Sequence, residues 1–158
     1  MLGPLGLADT VVSATSPDLP GPHAHGYYRC EDGTLVDVSR QNPTLLAGAG
    51  DLISTAEDLN TFISALLGGR LLPAPLLAEM LTPHGELNLG LGLWVQDLGP
   101  AGTIVHHNGG APGGYGALMI STPDGSRTLT ATLTTGEADP AEVFPAALGA
   151  LIMSVFGS

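Results

Sequence analysis

The chain contains no lysine, and its only cationic side chains at neutral pH are Arg29, Arg40, Arg70 and Arg127, set against 15 aspartates and glutamates. Without lysine there is no Schiff-base chemistry, no lysine-bearing phosphate loop and no Ser-x-x-Lys nucleophile pair within these residues. A net charge of −11 with four scattered arginines repels a phosphate backbone, so nucleic acid and anionic membrane surfaces are excluded as partners. Cysteine is nearly absent as well. Cys30 stands alone, so no disulfide forms within the chain, and it reads as a small strand-side residue rather than a reactive thiol. The N-terminal MLGPLGLADTVVSA has no basic region and carries Asp9, so no secretory signal is expected. The longest uncharged stretch, Val143 to Ser158, falls short of the ~20 apolar residues a membrane span requires. It contains Pro145 and reads as a buried helix.

What the chain does have is 44% hydrophobic residues with 23 glycines and 13 prolines in 158 residues, a composition expected of one loop-rich globular domain. The hydrophobic periodicity divides it into four parts. Residues 1–50 read as an irregular arm of turn-rich segments such as SPDLPGPHAHG and CEDGTLVDVSRQNP, with one short strand over Gly33 to Val38 after the Asp32-Gly33 turn. Residues 51–83 read as a helical hairpin. Ser54-Thr55-Ala56-Glu57 has the form of a capping box, and Leu59, Phe62, Ile63, Leu66 and Leu67 follow at helical spacing up to the Gly68-Gly69 stop. A second helix starts near Pro73 or Pro75, presents Leu76, Leu77, Met80 and Leu81, and ends before Pro83.

Residues 87–135 read as an antiparallel sheet. The expected strands are Leu89 to Val95, Thr103 to His107, Tyr115 to Ser121 and Arg127 to Thr134, the last two joined by the turn Thr122-Pro123-Asp124-Gly125. The threonines of the last strand take one face, and Leu129, Ala131 and Leu133 the other. A final helix over 140–156 sets Phe144, Leu148, Leu151, Ile152 and Val155 on one side and small or apolar residues on the other. A surface helix ordinarily shows a polar face, so this one is expected to accept a packing partner on each side.

The chemistry concentrates in Val105-His106-His107-Asn108-Gly109-Gly110-Ala111-Pro112-Gly113-Gly114-Tyr115, where a strand end carries two histidines into a glycine-rich loop. Adjacent strand residues face opposite ways, so only one of His106 and His107 is expected to line a given pocket unless the strand bulges. Neither this pair nor His23-x-His25 has the ligand spacing of a metal site. No metal and no cofactor is assigned. A Ser-His-Asp triad assembled in space stays open, because triads are defined by geometry rather than chain order.

His25-Gly26-Tyr27, Ala47 to Leu59 (AGAGDLISTAEDL), Gly90-Leu91-Gly92-Leu93 and His107-Asn108-Gly109-Gly110-Ala111-Pro112-Gly113 together resemble, in order, the C-terminal half of the serine beta-lactamase and D-alanyl-D-alanine carboxypeptidase family. The resemblance is to its class C-like, penicillin-binding, esterase-containing branch, and it spans about Pro4 to Phe156. It implies an α+β fold: part of a beta-lactamase/transpeptidase-like domain, with an antiparallel sheet, a helical hairpin and a C-terminal helix. It also implies a chemistry in which an acyl-enzyme forms on a Ser-x-x-Lys serine, a Tyr-x-Asn element assists proton transfer, and a Lys-Thr-Gly or His-Thr-Gly box lines the far wall. On this resemblance His107 takes the basic position of the box. Asn108 stands where a hydroxyl residue usually contacts the substrate carboxylate, Gly109 follows it, and the Gly110 N–H contributes to the oxyanion hole. Trp94 takes the place after Gly-Leu-Gly-Leu where some relatives carry a basic residue near the substrate.

Only the box is present. No tyrosine is followed two residues later by asparagine, and no lysine exists to complete the nucleophile motif. The resemblance therefore implies a truncated or split hydrolase, inactive alone, missing the first helix and the strands that complete the family's sheet. Its expected partner is a complementary N-terminal half or a second copy. The alternative is a non-catalytic assembly module that completes its sheet with another chain or with itself. Family members usually act outside the cytoplasm, while this sequence carries no export signal, so the compartment is left open.

Overall fold

A computed structural model describes residues 2–12, 16–111, 114–134 and 140–157. Its elements are α1 (Leu2–Leu5), β1 (Val11–Val12), β2 (Tyr27–Arg29), β3 (Leu35–Asp37), β4 (Leu52–Ile53), α2 (Ala56–Leu67), α3 (Ala74–Met80), β5 (Trp94–Asp97), β6 (Thr103–Ala111), β7 (Tyr115–Ser121), β8 (Thr128–Thr134) and α4 (Pro140–Phe156). The architecture is α+β. A four-stranded antiparallel sheet in the order β5-β6-β7-β8 is the middle layer, and its two faces bury different clusters.

One face meets the helical hairpin. Ile63, Leu66 and Leu67 of α2 join Leu93 and Val105, with Leu77, Met80, Val95 and Met119 packed around them. The other face meets α4, where Ile104, Leu118, Ile120 and Phe156 are buried with Leu129, Ala131, Phe144, Leu148 and Ile152 against them. This division follows from strand alternation: Ile104 and Val105 are neighbours in sequence, each almost fully buried, and they belong to opposite cores. In β8 the alternation separates polar from apolar contacts. Leu129 and Ala131 go to α4, while the Thr128 hydroxyl donates to Asn60 and the Thr130 hydroxyl donates to the Ala56 carbonyl at 2.8 Å, both on α2. The threonine face is thus covered too, through hydrogen bonds.

The hairpin between β7 and β8 closes on Asp124, whose Oδ1 accepts from the Thr122 hydroxyl at 2.6 Å and from the Ser126 N–H and hydroxyl at 3.0 and 2.8 Å. These donors, Thr122 first, hold the Asp124 carboxyl down to about 2. Gly125 takes φ +72° there, which an L side chain rarely adopts.

Three expectations are corrected. The α2 cap is shifted by one residue: Thr55 is the N-cap and accepts from the Asp58 N–H at 3.1 Å, so the Ser54/Glu57 box does not form. The reason is visible in what Asp58 does. Its Oδ2 accepts from the Asp9 N–H at 3.0 Å and the Thr10 hydroxyl at 2.7 Å, and Ser54 Oγ lies 2.8 Å from Thr10 Oγ1. Both residues are committed to holding the N-terminal segment, whose β1 pairs with β4 (Val11↔Ile53, Val12↔Leu52). Second, Leu89 to Leu93 is not a strand but a tight turn before β5. The Gly90 N–H donates to the Leu93 carbonyl at 2.7 Å and the Leu91 N–H to that of Met80 at 2.9 Å. A Cβ on Gly90 would fall 2.2 Å from the Met80 carbonyl oxygen, so the glycine is there to let the turn lie against the end of α3. Third, β6 does not stop at His107 but continues to Ala111.

The arm is less irregular than its composition suggests, since β2 and β3 pair as a hairpin (Tyr27↔Asp37, Tyr28↔Val36, Arg29↔Leu35). Its Asp32-Gly33 turn is closed by the Thr34 N–H donating to Asp32 Oδ1 at 2.9 Å. Asp58→Ala is expected to cost about 1–3 kcal/mol, the usual loss for a hydrogen-bonded charged group, and to speed amide exchange at Asp9 selectively. Unchanged exchange at Asp9 would show that the carboxylate does not hold the segment.

Candidate active site

The site is built on the far half of β6. Its register with β7 runs unbroken from Val105↔Ser121 through His107↔Met119, Asn108↔Leu118, Gly109↔Ala117 and Gly110↔Gly116 to Ala111↔Tyr115, so the strand has no bulge. On its other side β5 pairs only as far as Trp94↔His106. From His107 to Ala111 the β5-side edge of β6 therefore has no partner strand among the described residues, and alternate backbone N–H and C=O groups face outward along it.

His107, Asn108, Gly109 and Gly110 are all exposed. Nothing lies within 4 Å of where a Cβ on Gly109 would sit, and on Gly110 it would meet only the Tyr115 carbonyl oxygen, at 3.5 Å. Neither glycine has positive φ. The fold of this chain does not require glycine at either position; what glycine provides is a strand edge clear of side chains, along which another group can approach closely.

Alternation places His106 on the α4 face and His107 on the α2 face, as the sequence suggests. The expectation that only one of them serves a given site is nevertheless corrected by Trp94. Its ring stacks on His106, centroids 5.6 Å apart and planes 16° apart, and lies 5.2 Å from the His107 ring, tilted by 35°. Because β5 starts at Trp94, no further strand residue stands beside His107, and its ring is free to close against the indole. His106, His107, Asn108 and Gly110 all border one open cleft of about 810 Å³. Its other walls include the sheet residues Gly116, Leu118 and Ile120 and the α4 residues Phe144, Ala147, Leu148 and Ile152. Among the described residues neither His106 nor His107 hydrogen-bonds to a hydroxyl group.

The arm reaches this site through Tyr115, at the start of β7, a residue the sequence reading did not single out. The Tyr115 hydroxyl donates to the Ala24 carbonyl at 2.8 Å and accepts from the Gly26 N–H at 2.9 Å. A Cβ on Gly26 would come within 2.4 Å of the phenol ring. The glycine of His25-Gly26-Tyr27 was the available signal: it marks a close approach, here between the arm and the strand after the glycine-rich loop. Beside it, His25 Nδ1 pairs with Asp37 Oδ2 at 2.7 Å. The Asp37 carboxyl is held well below the usual carboxylate range, first by the Ser39 hydroxyl and then by His25. Pro112 and Gly113 of the motif lie outside the described residues. No cluster of three or more metal-ligating side chains occurs among the described residues, and none of their helices is long and apolar enough to cross a membrane.

Burial holds His106 below its ordinary value of 6.5, and the neighbouring His107 charge adds to the effect. A base that is harder to protonate when folded binds fewer protons than in the unfolded chain. Its contribution is therefore intact above pH about 6.5 and lost as pH falls from there through the lowered folded value. The melting temperature of the chain should fall with acidification in this window, and less so for His106→Gln. Equal acid sensitivity of the two proteins would show that His106 is not the group responsible.

A beta-lactamase family model matches residues 1–152. Among solved structures, a D-stereospecific amidohydrolase from Streptomyces sp. is 35% identical with TM-score 0.79, the match covering 92% of this chain and 45% of that one. A penicillin-binding protein from Bacillus halodurans is 26% identical with TM-score 0.69, covering 95% of this chain and 47% of that one. The chain thus spans less than half the length of each of these two structures.

Proposed function

The chain belongs to the beta-lactamase family, and on that premise we propose that it forms the sheet wall of a beta-lactamase-like acyl-transfer site whose nucleophile comes from residues outside these 158. The observation that carries this reading is the open edge of β6 at His107 to Gly110. It offers an imidazole, an amide side chain and outward-facing backbone groups where, among the described residues, no side chain fills the space beside Gly109.

The roles divide accordingly. A serine activated by the lysine of Ser-x-x-Lys attacks the substrate carbonyl. The Gly110 N–H supports the oxyanion of the tetrahedral intermediate, and collapse expels the amine or alcohol and leaves an acyl-serine for water to hydrolyse. His107 occupies the basic position beside that serine, with Trp94 against its ring. Asn108 contacts the polar end of the substrate, and Gly109 keeps the edge open. Substrates are a beta-lactam, a D-Ala-D-Ala peptide, an ester or, by analogy with the Streptomyces neighbour, an amide of D configuration. A second reading, assembly without catalysis, is favoured by the apolar cleft beside α4 and needs no nucleophile.

Alone, the chain should neither take up a fluorescent penicillin nor hydrolyse a chromogenic cephalosporin. Rapid acylation of one of its serines would overturn the assignment of the nucleophile to other residues. With a Ser-x-x-Lys-bearing half supplied, turnover should appear and His107→Ala should reduce it by about 10²–10⁴, the range of a lost acid–base group. Full turnover with His107→Ala would remove His107 from the chemistry.

A further inference from the structure

A strand edge free of side chains is open to approach, and for the same reason it is weakly held. In the last three rungs of the β6–β7 ladder, Gly109↔Ala117, Gly110↔Gly116 and Ala111↔Tyr115, every residue but one is glycine or alanine. Glycine weakens a strand because it has more freedom to lose and no side chain to pack. The sheet also ends here, since Tyr115 is the first residue of β7 and pairs with Thr134, the last of β8. Tyr115 is the one large side chain in these rungs. Strand alternation puts it on the face of Ala117 and Met119, which is the α2 face and the one that carries His107 on β6.

That side chain is fastened at its tip. Its hydroxyl donates to the Ala24 carbonyl and accepts from the Gly26 N–H, and the same N–H also reaches the buried Ser39 hydroxyl at 3.1 Å. The Ser39 N–H in turn donates to Asp37 Oδ1 at 2.9 Å, and the Val38 N–H to the Gly26 carbonyl at 2.9 Å. The tip is therefore held by the ordered β2–β3 hairpin and its flanks. We infer that Tyr115 is a positioning residue of the site: clipped to the arm, it holds the glycine end of β6 in place, and with it the Gly110 N–H that supports the oxyanion. The oxyanion role rests on the acyl-transfer reading above and the anchoring of the strand end does not, so the two are tested separately.

The test compares the full chain with Tyr115→Phe, which keeps the ring and removes the hydroxyl. Gly26 retains Ser39 as an acceptor and Ala24 is exposed, so the variant should fold, as circular dichroism will check. Amide hydrogen exchange followed by NMR should quicken about two- to tenfold over 109–111 and 115–117, the factor that one lost hydrogen bond gives. It should stay unchanged at Ile104 and Val105. Gly26→Ala, which drives a methyl into the Tyr115 ring, should give the same local pattern from the arm side. Exchange that is unchanged, or quickened uniformly along β6, overturns the anchor whatever the chain's activity. With a Ser-x-x-Lys-bearing half supplied and a chromogenic cephalosporin as substrate, Tyr115→Phe should lower kcat about tenfold and leave KM within about twofold, because a displaced oxyanion donor acts on the transition state. A raised KM at full kcat overturns the link to the oxyanion. No turnover by the unmodified chain overturns the complementation reading and the oxyanion role with it, and the exchange result then decides the anchor alone.

Discussion

The structure depends on β6 being held rigidly at one end and left bare at the other. Ile104 and Val105 lie 1% and 0% exposed in opposite cores, so the strand is pinned from both faces at adjacent residues. Burying two branched aliphatic side chains of this size is worth roughly 1.5–3 kcal/mol each. From His107 onward, β7 is the strand that pairs with β6 among the described residues. Such a strand projects its backbone with little freedom to shift in register, because a one-residue slip would exchange Ile104 and Val105 between the two cores.

The second organising feature is charge. A chain with no lysine and −11 overall uses several of its carboxylates as local acceptors, alongside the pairs Asp37 makes with His25 and Asp18 with Arg40. Asp58 holds the N-terminal segment, Asp124 closes the β7–β8 turn, and Asp32 closes the β2–β3 turn. Each satisfies backbone or hydroxyl donors within reach, so these segments are held without a counter-charge beside the carboxylate.

The helical hairpin, the β7–β8 turn and the α4 helix were legible in the sequence because each is set by local pattern: apolar residues at helical spacing, proline and glycine in a turn, a long charge-free run. The misread elements were set at a distance. The choice of Thr55 over Ser54 as the α2 cap depends on Thr10, 44 residues from Ser54, and no local rule weighs that. Gly90 and Gly92 sit in an alternation that fits a strand, and only the Met80 carbonyl, brought up by α3, shows that a turn is required. The segment His107 to Gly110 stood out in the sequence as a motif, and the structure places it on the unpaired edge of β6. The clamp by Tyr115 on Gly26 joins residues 89 apart and left only the unexplained glycine as its trace.

The two incomplete features of the molecule meet at one place. The free edge of β6 begins at His107, and the uncovered part of the α4-side face begins at His106; Trp94 lies against both rings. A segment that covers the face must pass His106 and the indole, and a segment that lines the edge must pass His107 and the same indole. Gly109 and Gly110, with no steric demand from this chain, and Gly116 across from Gly110, lie along the route between the two surfaces. The open face and the open edge therefore share the Trp94 ring as a common border.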